Sequence, residues 1–356
     1  MAQGAAVILP PDTELSSEDS AGGLGLLGSR MQPLHGSRSR LRNTDKTHPT
    51  IGRFALPSRA AGLILKTILM EKLQLLILSD GKPGHENQSV GLAEAMARRV
   101  PAEICMIRLT EGKGIFPKTI QALSSPPVSR KPDFIIAAGH STHLPLLLTA
   151  RKYGASSILL MKPSLPLSWF DWCIAPEHDF RKSPFPKNVI TSKGALNRVL
   201  PAASERKGKL CLIGGPSKTH GYEESGLIAQ IKSISAGAPW EIADSRRTPA
   251  TLLPALAAQI PGLTFFPHQE TQPGWLASKL ASAEEVHVTE DSVSMIYEAL
   301  SSGAKVRILE MPRLRQDSRV IRGLDMLKSA GYFSSNSPGL LAEADRCAGV
   351  ILRPAR

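Results

Sequence analysis

Long apolar runs are missing from this chain. Nowhere in its 356 residues do about eighteen hydrophobic side chains follow one another, so a helix able to span a membrane is not expected. Cysteine is scarce. Cys105, Cys173, Cys211 and Cys347 stand far apart, with no Cys-x-x-Cys pair. That spacing argues against zinc and against a disulfide framework, and it favours reduced thiols in a cytosol-like compartment. Aromatic residues make up only 5% of the chain, with four Trp and four Tyr, and no Lys/Arg run is long enough for a nucleic-acid arm. Nucleic acid is therefore not an expected partner. None of Tyr153, Tyr222, Tyr297 and Tyr332 has Lys four positions on, which disfavours short-chain epimerase chemistry. The Walker pattern Gly-x-x-x-x-Gly-Lys-Ser/Thr is also absent. His268 and His287 are too isolated for a metal triad, so neither metal nor cofactor is expected.

What is present describes a globular chain with an anionic partner. Hydrophobic residues make up 42% and charged residues 21%, and 43 Lys and Arg against 31 Asp and Glu give a net charge of +12. Such a balance asks for an anionic partner, a nucleotide, nucleic acid or an acidic lipid surface, of which nucleic acid is already disfavoured. The length is too great for one ordinary core and suits two domains.

Residues 1–69 carry Gly22-Gly23, scattered Ser and Pro, and a basic patch at Arg38, Arg40 and Arg42, without sustained periodicity. They are expected to be unfolded, or a mis-assigned extension ahead of a true start at Met70. Asp12, Glu14, Glu18 and Asp19 argue against a transit peptide. From Leu73 onward, strand, loop and helix repeat. Strands are expected at Leu73–Leu78, Ile104–Leu109, Asp133–Ala138, Ser157–Met161 and Phe170–Ala175. After a linker at Pro201–Lys209 they resume at Leu210–Ile213, Trp240–Ala243, Leu263–Phe266, Glu285–Val288 and Lys305–Leu309. Closing helices are expected at Asp317–Ala330 and Leu340–Ile351. Helices between buried strands imply parallel sheets covered on both faces, in two Rossmann-like domains of 70–200 and 201–356. The cleft between them is the expected site.

Three loops follow strands. In Gly81-x-x-Gly84-His85 the glycines allow close backbone approach, and His85 could accept a proton near neutral pH or simply cap the helix. Gly139-His140-Ser141-Thr142 is a similar turn, suited to acceptor contact or plain capping. Gly214-Gly215-Pro216-Ser217-Lys218 could cradle a diphosphate with backbone N–H groups and Lys218. The stretch Val286–Gly303 organises the second half. It is a strand end, then a helix that Asp291 or Ser292 could cap and Gly303 ends. Val293, Ile296, Tyr297 and Leu300 form its apolar face, and Asp291, Ser294, Glu298 and Ser301 its polar one. Glu298 could accept both hydroxyls of a ribose, or the polar face could simply be solvated.

Four motifs carry a resemblance. Ser79-Asp80-Gly81-Lys82-Pro83-Gly84-His85-Glu86-Asn87-Gln88, Ala175-Pro176-Glu177-His178-Asp179, Ile213 to Lys218 and Thr289 to Met295 together resemble the mitochondrial-fission "elongated mitochondria" family, from about Leu73 to the C-terminus. They are more distantly similar to the N-acetylglucosaminyltransferase of peptidoglycan assembly. The resemblance implies a GT-B fold and sugar transfer from a nucleotide-sugar donor to an unknown acceptor, lipid-linked or glycan. It implies that Glu298 holds the donor ribose and that His85 faces the acceptor and acts as base, with Gly81, Gly84, His140 and Ser141 on the acceptor side. The expected donor set is Gly214, Gly215, Ser217, Lys218, Arg246, Glu290, Asp291, Ser292 and Glu298, with Lys218 and Arg246 meeting the diphosphate. The alternative is a non-catalytic adaptor that recruits a dynamin-related protein. Either would be cytoplasmic or peripheral to a membrane, such as the mitochondrial outer surface.

Overall fold

A computed structural model describes residues 7–8, 71–110, 114–125, 130–180, 184–201, 205–236, 239–334 and 339–353. The strands are β1 Val7–Ile8, β2 Leu73–Ser79, β3 Ala102–Arg108, β4 Phe134–Ala138, β5 Ser156–Leu160, β6 Trp172–Pro176, β7 Val189–Ser192, β8 Gly208–Leu212, β9 Glu241–Ala243, β10 Thr264–Phe266, β11 Ala283–Thr289 and β12 Lys305–Leu309. The α-helices are α1 Pro83–Ala97, α2 Ile115–Ser124, α3 His143–Tyr153, α4 Glu224–Ser235, α5 Leu252–Gln259, α6 Trp275–Ser282, α7 Val293–Ser302, α8 Arg319–Ser329 and α9 Glu343–Ile351.

Two sheets form. The first has the order β1-β3-β2-β4-β5-β6-β7 and the second β10-β9-β8-β11-β12. Among the described strands the pairings are parallel except that of β1 with β3. In β2 the alternation of side chains sends Leu75 and Ile77 to one core, shared with α1 residues, and Leu76 and Leu78 to another, shared with Ala122 of α2 and Leu146 of α3. Near-continuous burial along β2, β4 and β5 is what a sheet covered on both faces requires.

The order of each sheet reverses once. From β2 the chain goes outward to β3 and returns to β4 on the other side, and from β8 it goes outward to β9 and β10 and returns to β11. At such a switch point the two following loops diverge and leave a crevice beyond the strand ends. The three loops singled out in the sequence leave β2, β4 and β8, and the stretch Val286–Gly303 turns at the end of β11. Two doubly wound parallel α/β units, each with its crevice at a switch point, are the GT-B arrangement.

Two expectations need correction. Of residues 1–69 only Val7–Ile8 are described, and they pair with the edge strand β3, Val7 opposite Met106 and Ile8 opposite Cys105. That dipeptide is therefore not unfolded; the rest of the stretch, and Met70, lie outside the described residues. The division at 200/201 also fails at the C-terminus. Ala344, Cys347, Ala348 and Ile351 of α9 belong to the core of the first unit, packed with α1 residues. The chain crosses back because α9 presents an apolar stripe at helical spacing, and α1 has a face left to cover. Sequence proximity assigned α9 to the wrong unit. The strand β7 was also not anticipated.

Candidate functional site

The first half of the site is built by β2 and β4. Their parallel pairing, with Leu78 beside Ala137, brings the loop starting at Asp80 next to Gly139. Asp80 is buried, and both its carboxylate oxygens lie 3.0 Å from Nδ1 of His85. An ionised carboxylate only accepts, so Nδ1 carries the proton, and in the neutral imidazole Nε2 is then the acceptor. Ser141 donates to Asp80 Oδ2 at 3.4 Å, and the Lys82 ammonium is 3.6 Å from the same oxygen. His85 and Ser141 thus converge on one carboxylate that had no assigned role in the sequence.

Gly139 is required here by geometry. Its φ is 92°, and a Cβ built on it would lie 2.4 Å from Cε1 of His85 and 2.5 Å from Nδ1. Gly139→Ala should expel the imidazole from Asp80 and lower stability by about 1–3 kcal/mol. A denaturant midpoint equal to the parent's would refute this. Gly81 also has positive φ, at 81°, and donates its N–H to Ser79 Oγ. Gly84 is different: it sits exposed in the first turn of α1, and a Cβ at that position would meet nothing within 4 Å. His140 turns away from Asp80, with Nε2 3.0 Å from Ser164 Oγ and its ring stacked on His143. Burial, with His140 alongside, pushes the His143 imidazole down to about 4.

The second half is built by β8, β9, β10 and β11. A cavity of about 670 Å³ is walled by Asp244, Arg246, Phe266, His268, Trp275, Ser292, Ser294, Met295 and Glu298, among others. The rings of Phe266 and Trp275 stand 5.0 Å apart between centroids, tilted 46° to each other, and supply an apolar wall. Ser292 occupies the N-cap position of α7 without a side-chain cap bond, and the first helical bond runs from Ile296 N–H to Ser292 C=O. The amides of Val293, Ser294 and Met295 therefore lie ahead of the helical ladder, at the positive end of the helix. Neither Asp291 nor Ser292 provides the side-chain cap expected of them, whereas Gly303 ends α7 at φ 79° as expected.

Glu298 joins the two halves. Its Oε1 accepts from Asn87 Nδ2 at 2.7 Å, and Asn87 stands on α1 two residues after His85. Burial pushes the Glu298 carboxyl up to about 7, partly offset by the Asn87 hydrogen bond. The polar stripe of α7 is only partly solvated: Ser294 is exposed, Glu298 is partly buried, and Asp291 and Ser301 are buried.

Several expected donor residues are otherwise engaged. The N–H of Gly214 donates to Thr289 Oγ1 at 2.7 Å, and that of Gly215 to Asp291 Oδ2 at 2.9 Å. Neither amide is open to a diphosphate. A Cβ on Gly214 would lie 2.3 Å from Asp291 Oδ2, and one on Gly215 2.1 Å from the Arg247 carbonyl oxygen, so these glycines permit chain crossing at the switch point. Asp291 is held by Arg247 at 2.7 Å with its side chain fully buried. Glu290 faces a second cavity of about 510 Å³ and is bound by Arg313. Ser217 Oγ accepts from the N–H groups of Thr219 and His220, closing a turn. Lys218 is exposed and is not part of the cavity wall. Of the expected donor set, Arg246, Ser292 and Glu298 share the cavity.

Sequence reasoning gave no role to Asp80, Asn87, Phe266 and Trp275, and read Gly139 only as part of a turn. Asp80 carried a signal, as an acid directly after a buried strand and five residues before His85. Asn87 carried none, because its partner is 211 residues away.

The fold and the paired loops define a GT-B-like α/β protein. A family model described as Mitochondrial fission ELM1 matches residues 83–354, and the chain belongs to that family. An uncharacterized protein, RP120, of Rickettsia prowazekii (strain Madrid E) is 27% identical over 232 residues, covering 51% of this chain and 65% of that protein. The match thus spans just under two thirds of that relative's length. Among solved structures, MurG of Acinetobacter baumannii is 11% identical with a TM-score of 0.43, covering 79% of this chain and 91% of that one. The UDP-GlcNAc 2-epimerase from Neisseria meningitidis bound to UDP-GlcNAc is 13% identical with a TM-score of 0.49, covering 79% and 99%. The glycosyltransferase SnogD from Streptomyces nogalater is 13% identical with a TM-score of 0.45, covering 79% and 95%.

Proposed function

We propose that this protein transfers a sugar from a nucleotide-sugar donor to an acceptor hydroxyl at the mouth of its first unit. The observation that carries the reading is the position of Glu298. A largely buried carboxylate lines a cavity of about 670 Å³ that also offers an aromatic pair, an exposed arginine and an uncapped helix N-terminus. Each feature suits one part of a nucleotide sugar. The Phe266–Trp275 wall suits a base, Glu298 suits the ribose hydroxyls, and the amides opening α7, with Arg246, suit the diphosphate.

Transfer then needs a base on the acceptor side. His85, with Nδ1 held by Asp80 and Nε2 free to accept, meets that need. As the sugar leaves, charge develops on the diphosphate, where the positive end of α7 and Arg246 would stabilise it. Asn87 places the His85 helix in direct contact with the ribose residue, so donor and acceptor sides share one hydrogen bond.

A thermal-shift panel of nucleoside diphosphates and nucleotide sugars tests the donor half. A true ligand at about 100 times its dissociation constant stabilises by about 2.7 kcal/mol. Glu298→Gln should weaken that ligand roughly ten- to hundredfold, the range for losing hydrogen bonds to a charged acceptor. Unaltered affinity would remove Glu298 from the ribose site.

A further inference from the structure

We propose that the paired helices α2 and α3 form a docking surface for an anionic lipid bilayer, and that the acceptor reaches His85 from that bilayer. The two helices run side by side in the same direction. Lys118 near the start of α2 reaches Ser141 Oγ just before α3, and Lys152 near the end of α3 donates to the Leu123 carbonyl near the end of α2. Their inner sides supply Ala122, Leu146 and Ala150 to the core beneath.

The outer side is unusually apolar. Phe116 is 72% exposed and Ile120 54% exposed, one turn apart on α2, and Ile115 on the same helix and Leu144 and Leu148 on α3 are exposed as well. Five of the large apolar residues left in solvent therefore sit on two neighbouring helices, where scattered single exposures would be ordinary. Neither helix contains an acidic residue.

Charge favours a bilayer of one sign. At the far end of the patch Arg151 and Lys152 close α3, and both are exposed. Lys131 comes within 3.2 Å of the Cβ position of Gly154, directly after that helix, and exposed Arg130 precedes it. Apolar side chains between helices with a cationic rim are the chemistry that seats a protein at an anionic interface, the rings and branched chains entering the acyl boundary and the cations meeting headgroups. No helix among the described residues is long and apolar enough to cross a membrane, so the contact would be peripheral.

Position links this face to the site. The turn His140–Thr142 runs directly into α3, and its Ser141 touches Asp80, the partner of His85. The Phe116 end of the patch thus borders the acceptor loop, and the cationic rim lies at the opposite end. Only the delivery of acceptor to His85 rests on the transferase reading; the docking surface stands or falls without it.

The experiment is flotation of the full chain with vesicles of phosphatidylcholine, with and without phosphatidylglycerol. The parent should float only with phosphatidylglycerol present and should be released by salt. Phe116→Glu with Ile120→Glu should reduce the bound fraction roughly tenfold or more, and so should Arg130→Glu with Arg151→Glu. Both pairs lie on exposed positions, and an unchanged melting temperature verifies that they fold. A parent that never floats, or variants that float equally well, would overturn the proposal. So would light scattering showing a dimer that Phe116→Glu dissolves, since a second copy would then own the face. Because flotation needs no turnover, its failure is distinguishable from failure of the sugar-transfer reading.

Discussion

His85→Ala should cut turnover by about 10²–10⁴ while leaving nucleotide affinity nearly unchanged, because the donor cavity is built from the other unit. The reason lies in the pairing with Asp80. Two carboxylate oxygens at 3.0 Å from Nδ1 hold the imidazole in one tautomer and orientation, so its remaining nitrogen is a proton acceptor of defined direction. Asp80→Asn should also be strongly impaired, since an amide can donate to Nδ1 and favour the other tautomer. The measurement is release of nucleoside diphosphate with lipid, glycan and water as acceptors. If the parent binds sugar nucleotides but releases none with any of them, the protein is a binding scaffold and not a transferase. If His85→Ala turns over as fast as the parent, another group takes the proton.

Glu298→Gln should make the unliganded protein more stable at about pH 8 while it weakens the nucleotide. The carboxyl is pushed from its ordinary 4.5 to about 7, chiefly by burial. Between those values the folded chain holds a proton that the unfolded chain has released. Stability from this group is therefore fully present below about pH 4.5 and is lost as pH rises through about 7. The loss is on the order of 3 kcal/mol at high pH. Glutamine never ionises, yet its side-chain oxygen can still accept from Asn87, so the variant escapes the loss. Urea denaturation of parent and variant should differ by that amount near pH 8 and should converge only below about pH 4.5. Asp244, Arg246 and His268 line the same cavity and are common to both proteins, so the difference isolates Glu298. A difference that does not change with pH, or a parent more stable near pH 8, would refute the burial of this charge. Opposite signs for binding and stability are the mark of a residue kept for function at a cost to the fold.

Much of the architecture is legible without coordinates, because a strand covered on both faces must be apolar over its whole length. Leu73 to Leu78 and Asp133 to Ala138 announce themselves in this way, and the observed β2 and β4 differ from them by a residue at one end. Gly303 after an apolar helix is equally local: only a residue tolerant of positive φ closes α7 there. The motif loops are legible too, since glycine, histidine and serine directly after buried strands mark the ends where crevices open.

What the loops do inside the site was decided by tertiary structure. Gly214 and Gly215 look, in sequence, like a phosphate cradle, but parallel pairing of β8 with β11 brings Thr289 and Asp291 onto their amides. Glu290 and Asp291 are adjacent, yet a turn at the end of β11 sends one to Arg313 and the other to Arg247. α9 is one more apolar helix in sequence, and only its burial against α1 assigns it to the first unit. By itself the sequence determined the strands, the helices and the positions of the loops, because propensity, periodicity and burial of a strand act over a few residues. Which polar atom meets which across 61 residues from Asp80 to Ser141, or 211 from Asn87 to Glu298, depends on sheet order, and sheet order exists only in the folded chain.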